Sequence, residues 1–274
     1  ALRIVRAANV PRRRVDDVVA RLTHAALTRH SVALQAPADG IAEPAALRRS
    51  DGDSVYTVAR ATWHTSRRIV AAEHRLVDAA GRRGGHQVPT PAVEVALIEA
   101  AANRTPLNPG QVALVRAMAC SGARVQVAIA PAGSGKTTAM RALSLAWQQA
   151  GGTVVGLAPS AAAAAALGSQ IDTHTDTLAK LTWSIEHHDL PDWAAQIGPN
   201  TLVVIDEAGM IGSRQMERVL SQARDAGAKV VMVGDPEQLQ AIEAGAAFRS
   251  ITERHGAAEI TEIRRQREDW QRDA

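Results

Sequence analysis

Four short apolar runs in the second half of the chain constrain its fold more than any other feature. Each run is rich in β-branched residues, and a stretch with helical periodicity separates it from the next. The runs are RVQVAIA (124–130), TVVGLA (153–158), TLVVIDE (201–207) and KVVMVGD (229–235). Strands that are apolar on both faces and alternate with helices indicate a parallel sheet covered on both sides. We therefore predict an α/β fold from about residue 105 onward.

The first hundred residues have a different pattern, with helical periodicity and no strong strand signal. VDDVVARLTHAAL (15–27) and TSRRIVAAEHRLVDAAG (65–81) both place apolar residues on one helical face. The glycines and prolines of about 82–92 are typical of a linker. We therefore predict a mainly helical N-terminal region over 1–104.

Composition excludes several classes of protein. The chain has 274 residues, of which 46% are hydrophobic, an ordinary value for a globular protein. A single cysteine rules out an internal disulfide framework, and no run approaches the roughly 20 apolar residues that span a bilayer. We therefore expect a cytoplasmic protein with no membrane span. A net charge of +3 permits a nucleic-acid partner without demonstrating one.

The stretch APAGSGKTT follows the first predicted strand and opens a predicted helix, which is the context of a phosphate-binding loop. Gly133 and Gly135 let the backbone turn its N–H groups toward a phosphate, and the helix N-terminus favours an anion. Lys136 would reach the β- and γ-phosphates of ATP, and the Thr137 hydroxyl would bind Mg²⁺. The residues assigned to the nucleotide are Ala130, Pro131, Ala132, Gly133, Ser134, Gly135, Lys136, Thr137 and Thr138.

Ala130 stands where this loop normally begins with glycine. If the position has a negative φ, as at the end of a strand, alanine costs little. If it needs a positive φ, alanine costs about 1–2 kcal/mol. In both cases the phosphate ligands remain, so we expect the site to function.

Asp206 and Glu207 end the third apolar run. The end of a parallel strand places both carboxylates at the sheet edge that also carries the phosphate loop. Asp206 would then hold Mg²⁺, while Glu207 would position and deprotonate the attacking water. A glutamate at this place favours hydrolysis over transfer of the phosphoryl group to another substrate.

A third motif, VGDPEQLQAI (233–242), turns the chain off the fourth run. The turn would bring Gln238 near the γ-phosphate, where a polar side chain can sense whether that phosphate is present. Alone, this stretch would favour a plain β-turn, and only the other two motifs favour the sensor.

In this order, the motifs resemble those of RecD-like superfamily-1 helicases, which move 5′→3′ on DNA. The resemblance is greatest to the helicase portion of conjugative relaxase-helicases of the TrwC/TraI (MobF) type. The matching segments cover about residues 105–267. They are LNPGQVALV (107–115), APAGSGKTTAM (130–140), GLAPSAAAAAAL (156–167), DTLAKL (176–181), VVIDEAGM (203–210), VGDPEQLQAI (233–242) and EIRRQ (262–266).

The resemblance implies further roles and partners. Gln111 would read the adenine edge of ATP. Arg265 would reach the γ-phosphate, although the sequence does not decide between it and its neighbour Arg264. Pro159, Ser160 and Thr177 would contact the backbone of single-stranded DNA. In the full-length protein, a relaxase domain and the conjugation machinery would be the partners.

The resemblance also divides the chain into domains. Residues 105–262 would form a P-loop NTPase (RecA-like) lobe with helices on both faces of its sheet. Residues 263–274 would begin a second RecA-like lobe that is truncated here. Because translocation requires two lobes that open and close on the nucleotide, we expect this chain to bind ATP and to unwind DNA poorly.

Three alternatives stay open. One is a RecD-like repair helicase unrelated to conjugation, which the absence of an upstream relaxase domain would favour. Another is a non-motor ATPase that binds DNA in a nucleotide-dependent way and serves as a scaffold. A P-loop kinase of small molecules is disfavoured by Glu207 and by the Gly234–Asp235–Pro236 turn.

Overall fold

A computed structural model describes residues 8, 10–34, 63–131, 133–235 and 247–260. The chain forms two compact units, residues 1–71 and residues 72–274. No helix among the described residues is long and apolar enough to cross a bilayer.

The first unit contains a helix and an antiparallel strand pair. A 3₁₀ turn (Arg12–Arg14) leads into α1 (Val15–Ala25), and a π-helical turn (Ala26–His30) follows it. Strands β1 (Ser31–Leu34) and β2 (Trp63–Ser66) then pair with each other. The sequence predicted no strand here, because four residues are too few to display a clear alternation. The apolar face predicted for α1 is present, but no residue of α1 is fully buried.

The second unit begins within α2 and alternates strands with helices. Its helices are α2 (Arg67–Ala80), α3 (Thr90–Ala102), α4 (Pro109–Cys120), α5 (Lys136–Gln149), α6 (Ala161–Ile171), α7 (Leu178–His187), α8 (Asp192–Ala195), α9 (Ser213–Asp225) and α10 (Ala247–His255). Its strands are β3 (Val125–Ile129), β4 (Thr153–Ala158), β5 (His174–Thr177), β6 (Thr201–Ile205), β7 (Lys229–Gly234) and β8 (Ala258–Glu259).

These six strands form one parallel sheet in the order β5-β4-β6-β7-β3-β8. The four strands predicted from the apolar runs are confirmed as β3, β4, β6 and β7. Every residue of β6 and β7 is buried, which explains why both faces of these strands are apolar in sequence. The predicted fold class, a parallel sheet with helices on both faces, is confirmed.

Two apolar layers lie on opposite faces of the sheet. Alternate residues of β6 enter different layers: Val203 belongs to one cluster, whereas Leu202 and Val204 belong to the other. The first layer packs α7, α9, α10 and the end of α2 against the sheet. The second layer packs α3, α4, α5 and α6 against the opposite face. The sheet is therefore fixed between helices, and the ends of its strands present the loops.

The segment 82–92, predicted as a linker, is attached to the second unit. Val88 is buried, and its N–H donates to Ala119 O at 2.9 Å. Helix α3 then packs against α4 and α5. Residues 82–104 therefore lie in the same compact unit as the sheet, and the domain boundaries predicted from the sequence stay predictions.

Candidate nucleotide site

The phosphate loop connects β3 to α5 and turns at two glycines. Gly133 has φ of 83° and Gly135 has φ of 81°, values that favour glycine because it has no Cβ. Helix α5 begins at Lys136, directly after the second turn. The first N–H groups of a helix have no partner within it and carry a partial positive charge, so this end suits an anion.

Ala130 fits the loop without strain. Of the described non-glycine residues, only Arg104, Asp172, His188 and Glu207 have positive φ. The Ala130 N–H donates to Gly234 O at 3.1 Å, which continues the pairing of β3 with β7. Its side chain is buried in the second apolar layer. Ala130 thus directly follows β3 and continues its pairing with β7 without a positive φ. Of the two possibilities considered above, the one in which alanine costs little holds.

Lys136 bridges the two acidic residues at the end of β6. Its Nζ donates to Asp206 Oδ1 at 2.7 Å and to Glu207 Oε1 at 2.9 Å. All three side chains are largely buried, with exposed fractions of 12–30%. Burial by itself lowers the pKa of the Lys136 amine, but the charges of both carboxylates and the hydrogen bonds to them outweigh it and raise that pKa. Lys136 therefore carries a positive charge at neutral pH.

The backbone around Asp206 and Glu207 holds this arrangement. The Asp206 N–H donates to Leu157 O at 2.9 Å, so this residue is fixed to the neighbouring strand β4. The Glu207 N–H donates to Asp206 Oδ1 at 2.9 Å. Glu207 adopts φ of 51° and ψ of 39° at the start of a 3₁₀ turn, a left-handed conformation that is unusual for this residue type. Strained backbone of this kind is concentrated at functional sites.

The residues present fit a triphosphate with a divalent cation. Lys136, Thr137 and Asp206 follow or flank the loop, and the Ser134 hydroxyl is buried with no hydrogen-bond partner among the described residues. Within those residues no cluster of three or more His, Cys, Asp or Glu side chains could hold a metal by itself. Mg²⁺ commonly takes one or two carboxylates and completes its shell from phosphates and water. A site with few protein ligands therefore suits Mg²⁺ that arrives with a nucleotide.

Gln111 lies beneath the loop and is completely buried. Its backbone N–H donates to Asn108 Oδ1 at 2.8 Å, and its Oε1 accepts from the Asn108 N–H at 2.9 Å. This reciprocal pair is a capping box at the start of α4. The Gln111 Nε2 donates to Ser134 O and to Gly135 O, both at 3.1 Å.

The three residues assigned to DNA lie at the ends of two adjacent strands. Ala158, the last residue of β4, pairs with Thr177 at the end of β5. Pro159 and Ser160 follow β4 directly. The Ser160 Oγ caps α6 by accepting from Ala163 N–H at 3.2 Å, and the Thr177 Oγ1 caps α7 by accepting from Lys180 N–H at 3.2 Å. Each hydroxyl keeps its own O–H as a donor. Their contact with DNA stays a prediction.

Some predicted site residues lie outside the described ranges, and sequence reasoning missed others. Ala132, Gln238 and Arg265 are not among the described residues, so their roles stay predictions. Thr137 Oγ1 donates to Gln170 Oε1 at 3.2 Å, a tertiary contact with no sequence signal. Asn108 did leave a signal, because an Asn followed three residues later by Gln is the pattern of a capping box.

A family model now places the chain among known proteins. Residues 106–274, more than half of the chain, match the model described as AAA domain. The chain belongs to the AAA domain family. The match begins just before α4 and includes the phosphate loop and the two carboxylates of this AAA domain.

Relatives of this AAA domain carry names from conjugation and from DNA helicases. A probable conjugal transfer protein TraA of Sinorhizobium fredii is 39% identical over 214 residues, which are 77% of this chain and 18% of that protein. A conjugal transfer protein TraA of Rhizobium radiobacter is 47% identical over 154 residues, 56% of this chain and 13% of that protein. An ATP-dependent RecD2 DNA helicase of Deinococcus radiodurans is 28% identical over 150 residues, 53% of this chain and 20% of that protein.

These relatives confirm the resemblance drawn from the motifs. The chain spans no more than a fifth of the length of each of the three. What the whole proteins do therefore comes to this AAA domain only as a proposal.

Proposed function

We propose that this chain is the ATP-binding lobe of a DNA translocase that acts in conjugative transfer. The lobe would bind ATP with Mg²⁺, hydrolyse it, and couple the hydrolysis to 5′→3′ movement along single-stranded DNA. The observation that carries the proposal is the contact of Lys136 with both Asp206 and Glu207 beside the phosphate loop. An amine and two carboxylates at one sheet edge are the groups that phosphoanhydride hydrolysis requires.

Each residue of the site has a distinct task in this proposal. Thr137 and Asp206 are the residues that would hold Mg²⁺, which neutralises phosphate charge when it is bound. Lys136 would leave the carboxylates and pair with the β- and γ-phosphates. Its departure would free Glu207 to orient a water molecule and accept its proton. Gln238 and Arg265 are proposed to sense and stabilise the γ-phosphate.

Single-stranded DNA would lie across the ends of β4 and β5. Ser160 and Thr177 follow or end these two paired strands, and each is the N-cap of a helix. Hydroxyl donors beside helix N-termini suit phosphate groups. DNA bound there would lie at the same edge of the sheet as the phosphate loop. A movement of the loops at that edge would then act on the nucleotide and on the DNA together.

Steady-state ATP hydrolysis by this chain, with and without oligo-dT, tests the proposal. We expect hydrolysis that single-stranded DNA stimulates. Lys136→Ala should abolish it by removing the amine that pairs with the phosphates. Glu207→Gln should retain nucleotide binding but lower the rate by about 100-fold or more, because the amide accepts no proton.

Glu94→Gln is the matched control. Glu94 forms an exposed ion pair with Arg116, away from the loop, so this variant should hydrolyse ATP at the wild-type rate. Hydrolysis that survives in Lys136→Ala would contradict the proposed site. ATP binding without turnover in the wild type would mean that catalysis needs residues beyond this chain.

The second candidate is the RecD-like repair helicase considered above, because one relative is named an ATP-dependent RecD2 DNA helicase. That relative matches 53% of the chain at 28% identity, whereas the TraA protein of Sinorhizobium matches 77% at 39% identity. The greater similarity favours conjugation. A relaxase domain encoded upstream in the same gene would support conjugation, and its absence would support repair.

A further inference from the structure

Helix α7 carries a large aromatic side chain on its exposed face. Trp183 is 53% exposed, whereas its chain neighbours Thr182 and Ser184 are buried. An indole ring combines a wide apolar surface with a π-system, and tryptophan is enriched where proteins bind other molecules. Exposure alone does not say what Trp183 binds, so the argument depends on the groups around it.

His187, one helical turn further along, holds the indole in one orientation. The two rings are stacked, with their centroids 4.1 Å apart and their planes 21° apart. The His187 Nδ1–H donates to Trp183 O at 2.7 Å, so the imidazole is itself fixed. Trp183 is therefore an oriented flat surface, and a ligand that stacks on it orders little that is not already ordered.

Lys180 lies on the same face of α7. Residues three and four apart are neighbours on a helix surface, so Lys180, Trp183 and His187 form one stripe along the helix. The Lys180 Nζ donates to Asp176 Oδ2 at 2.6 Å, and more than half of the lysine side chain is exposed. The stripe starts within one turn of Thr177, so it continues from the strand ends at which DNA is proposed to bind.

The charges beside the stripe allow a phosphate to approach. An ammonium group has three N–H donors, and the ion pair of Lys180 with Asp176 uses one of them. Glu186, the acidic residue before His187, forms an ion pair with Arg218 of α9. Both carboxylates are thus paired with cations. A lysine beside a flat aromatic ring matches a nucleotide unit, which carries a phosphate and a base.

We propose that Trp183 is a stacking site for a base of single-stranded DNA, and that Lys180 contacts the adjoining phosphate. The inference rests on the proposed function, and it extends the course of the DNA from the ends of β4 and β5 along α7. Every base has a π-face, so stacking tolerates any sequence. A site of this kind suits a protein that moves along DNA without reading it.

Binding of two oligonucleotides of equal length tests the inference, one of them oligo-dT and the other an abasic strand. Both carry the same phosphates, but only oligo-dT has bases. Trp183→Ala should weaken oligo-dT by about fivefold or more and leave the abasic strand unaffected. Trp183→Phe keeps a ring and should recover most of the affinity. Fluorescence anisotropy of labelled strands measures all of these affinities.

Trp193→Phe is the matched control. Trp193 on α8 also packs against a histidine, His174, with ring centroids 5.0 Å apart. It is partly buried against the first apolar layer, and His174 begins β5, at the opposite end of that strand from Thr177. This variant should bind oligo-dT as the wild type does. Oligo-dT should quench the indole emission of the wild type and of Trp193→Phe, and much less that of Trp183→Phe.

The outcomes separate the inference from the proposed function. An equal loss of oligo-dT and of the abasic strand in Trp183→Ala would overturn the inference, because the residue would then support contacts to the backbone only. Unchanged oligo-dT affinity, or equal quenching in wild type and Trp183→Phe, would also overturn it and leave the proposed function intact. If the wild-type chain bound neither strand, both would be wrong.

Discussion

Lys229, which is not part of the candidate nucleotide site, shows how burial changes the pKa of a single side chain. Lys229 begins β7 and is completely buried. Its Nζ donates to Met118 O at 2.6 Å and to Ser121 O at 2.5 Å, so the ammonium satisfies carbonyls at the C-terminal end of α4. A positive charge there complements the helix dipole. Burial nevertheless lowers the pKa of this amine to about 8, although the nearby Cys120 opposes the shift.

We predict that this lysine makes the protein more stable as the pH rises from about 8 to about 10.5. Between the folded pKa of Lys229, about 8, and its ordinary value of 10.5, the unfolded chain binds more protons than the folded one. Stability therefore increases with pH over that interval, by at most about 3 kcal/mol. Urea unfolding of wild type and Lys229→Met over pH 7–10.5 checks this. Parallel profiles for the two proteins would contradict it.

Among the residues of the candidate site, those that follow strands could be predicted and those that act through tertiary contacts could not. Parallel strands bring their carboxyl ends to one edge, so the positions of Lys136 and Asp206 follow from the pattern of the chain. The contact of Thr137 with Gln170 depends on how α6 packs against α5. The commitment of Gln111 to the loop depends similarly on the packing of α4.

At the scale of elements, the length and composition of a strand decide whether its sequence reveals it. The four strands with apolar runs were predicted, whereas β5 and β8 were not. The residues of β5, HTDT, include no apolar side chain, and β8 has only two residues. Both lie at the edges of the sheet, where a strand has a neighbouring strand on one side only. An edge strand is less enclosed than a central one, so it needs fewer apolar residues.

The paired ends of β4 and β5 give a prediction about DNA. Ser160→Ala and Thr177→Ala together should weaken binding of oligo-dT, because each removes a hydroxyl donor beside a helix N-terminus. If each hydroxyl binds a phosphate together with its helix end, the salt dependence of binding should fall by up to about 0.7 for each phosphate that is no longer bound. Fluorescence anisotropy over a salt series measures this slope.

The control for this pair is Ser169→Ala, which removes an exposed hydroxyl near the other end of α6. Removal of the two caps also costs about 1 kcal/mol of stability each, so binding is compared at a temperature where all variants are folded. An unchanged oligo-dT affinity in the double variant would place the DNA elsewhere.

At the scale of the whole molecule, the described residues differ sharply in burial. Strands β6 and β7 are buried throughout, between two apolar layers. No residue of α1 is fully buried. The apolar face of α1 is clear from its sequence, but periodicity predicts a helix without saying what covers it.

We predict that hydrogen exchange will follow this contrast. Amides of β6 and β7 should exchange only through global unfolding, whereas amides of α1 should exchange through local opening at least about 100-fold faster. Exchange measured by mass spectrometry on peptides from both regions checks the expectation. Equal protection of α1 and β6 would show that α1 is held far more firmly than its burial indicates.

The conformation of Ala130 matters for the sequence patterns that are used to recognise phosphate-binding loops. The first position of the loop directly follows β3 and has a buried methyl group, whereas the sharp turns fall at Gly133 and Gly135. Among the described residues of the loop, these two have the positive φ that disfavours a side chain. A search pattern that requires glycine at the first position would miss this chain, although alanine fits there without a positive φ. A pattern that requires glycine at the positions of Gly133 and Gly135, and not at the first position, would include this chain.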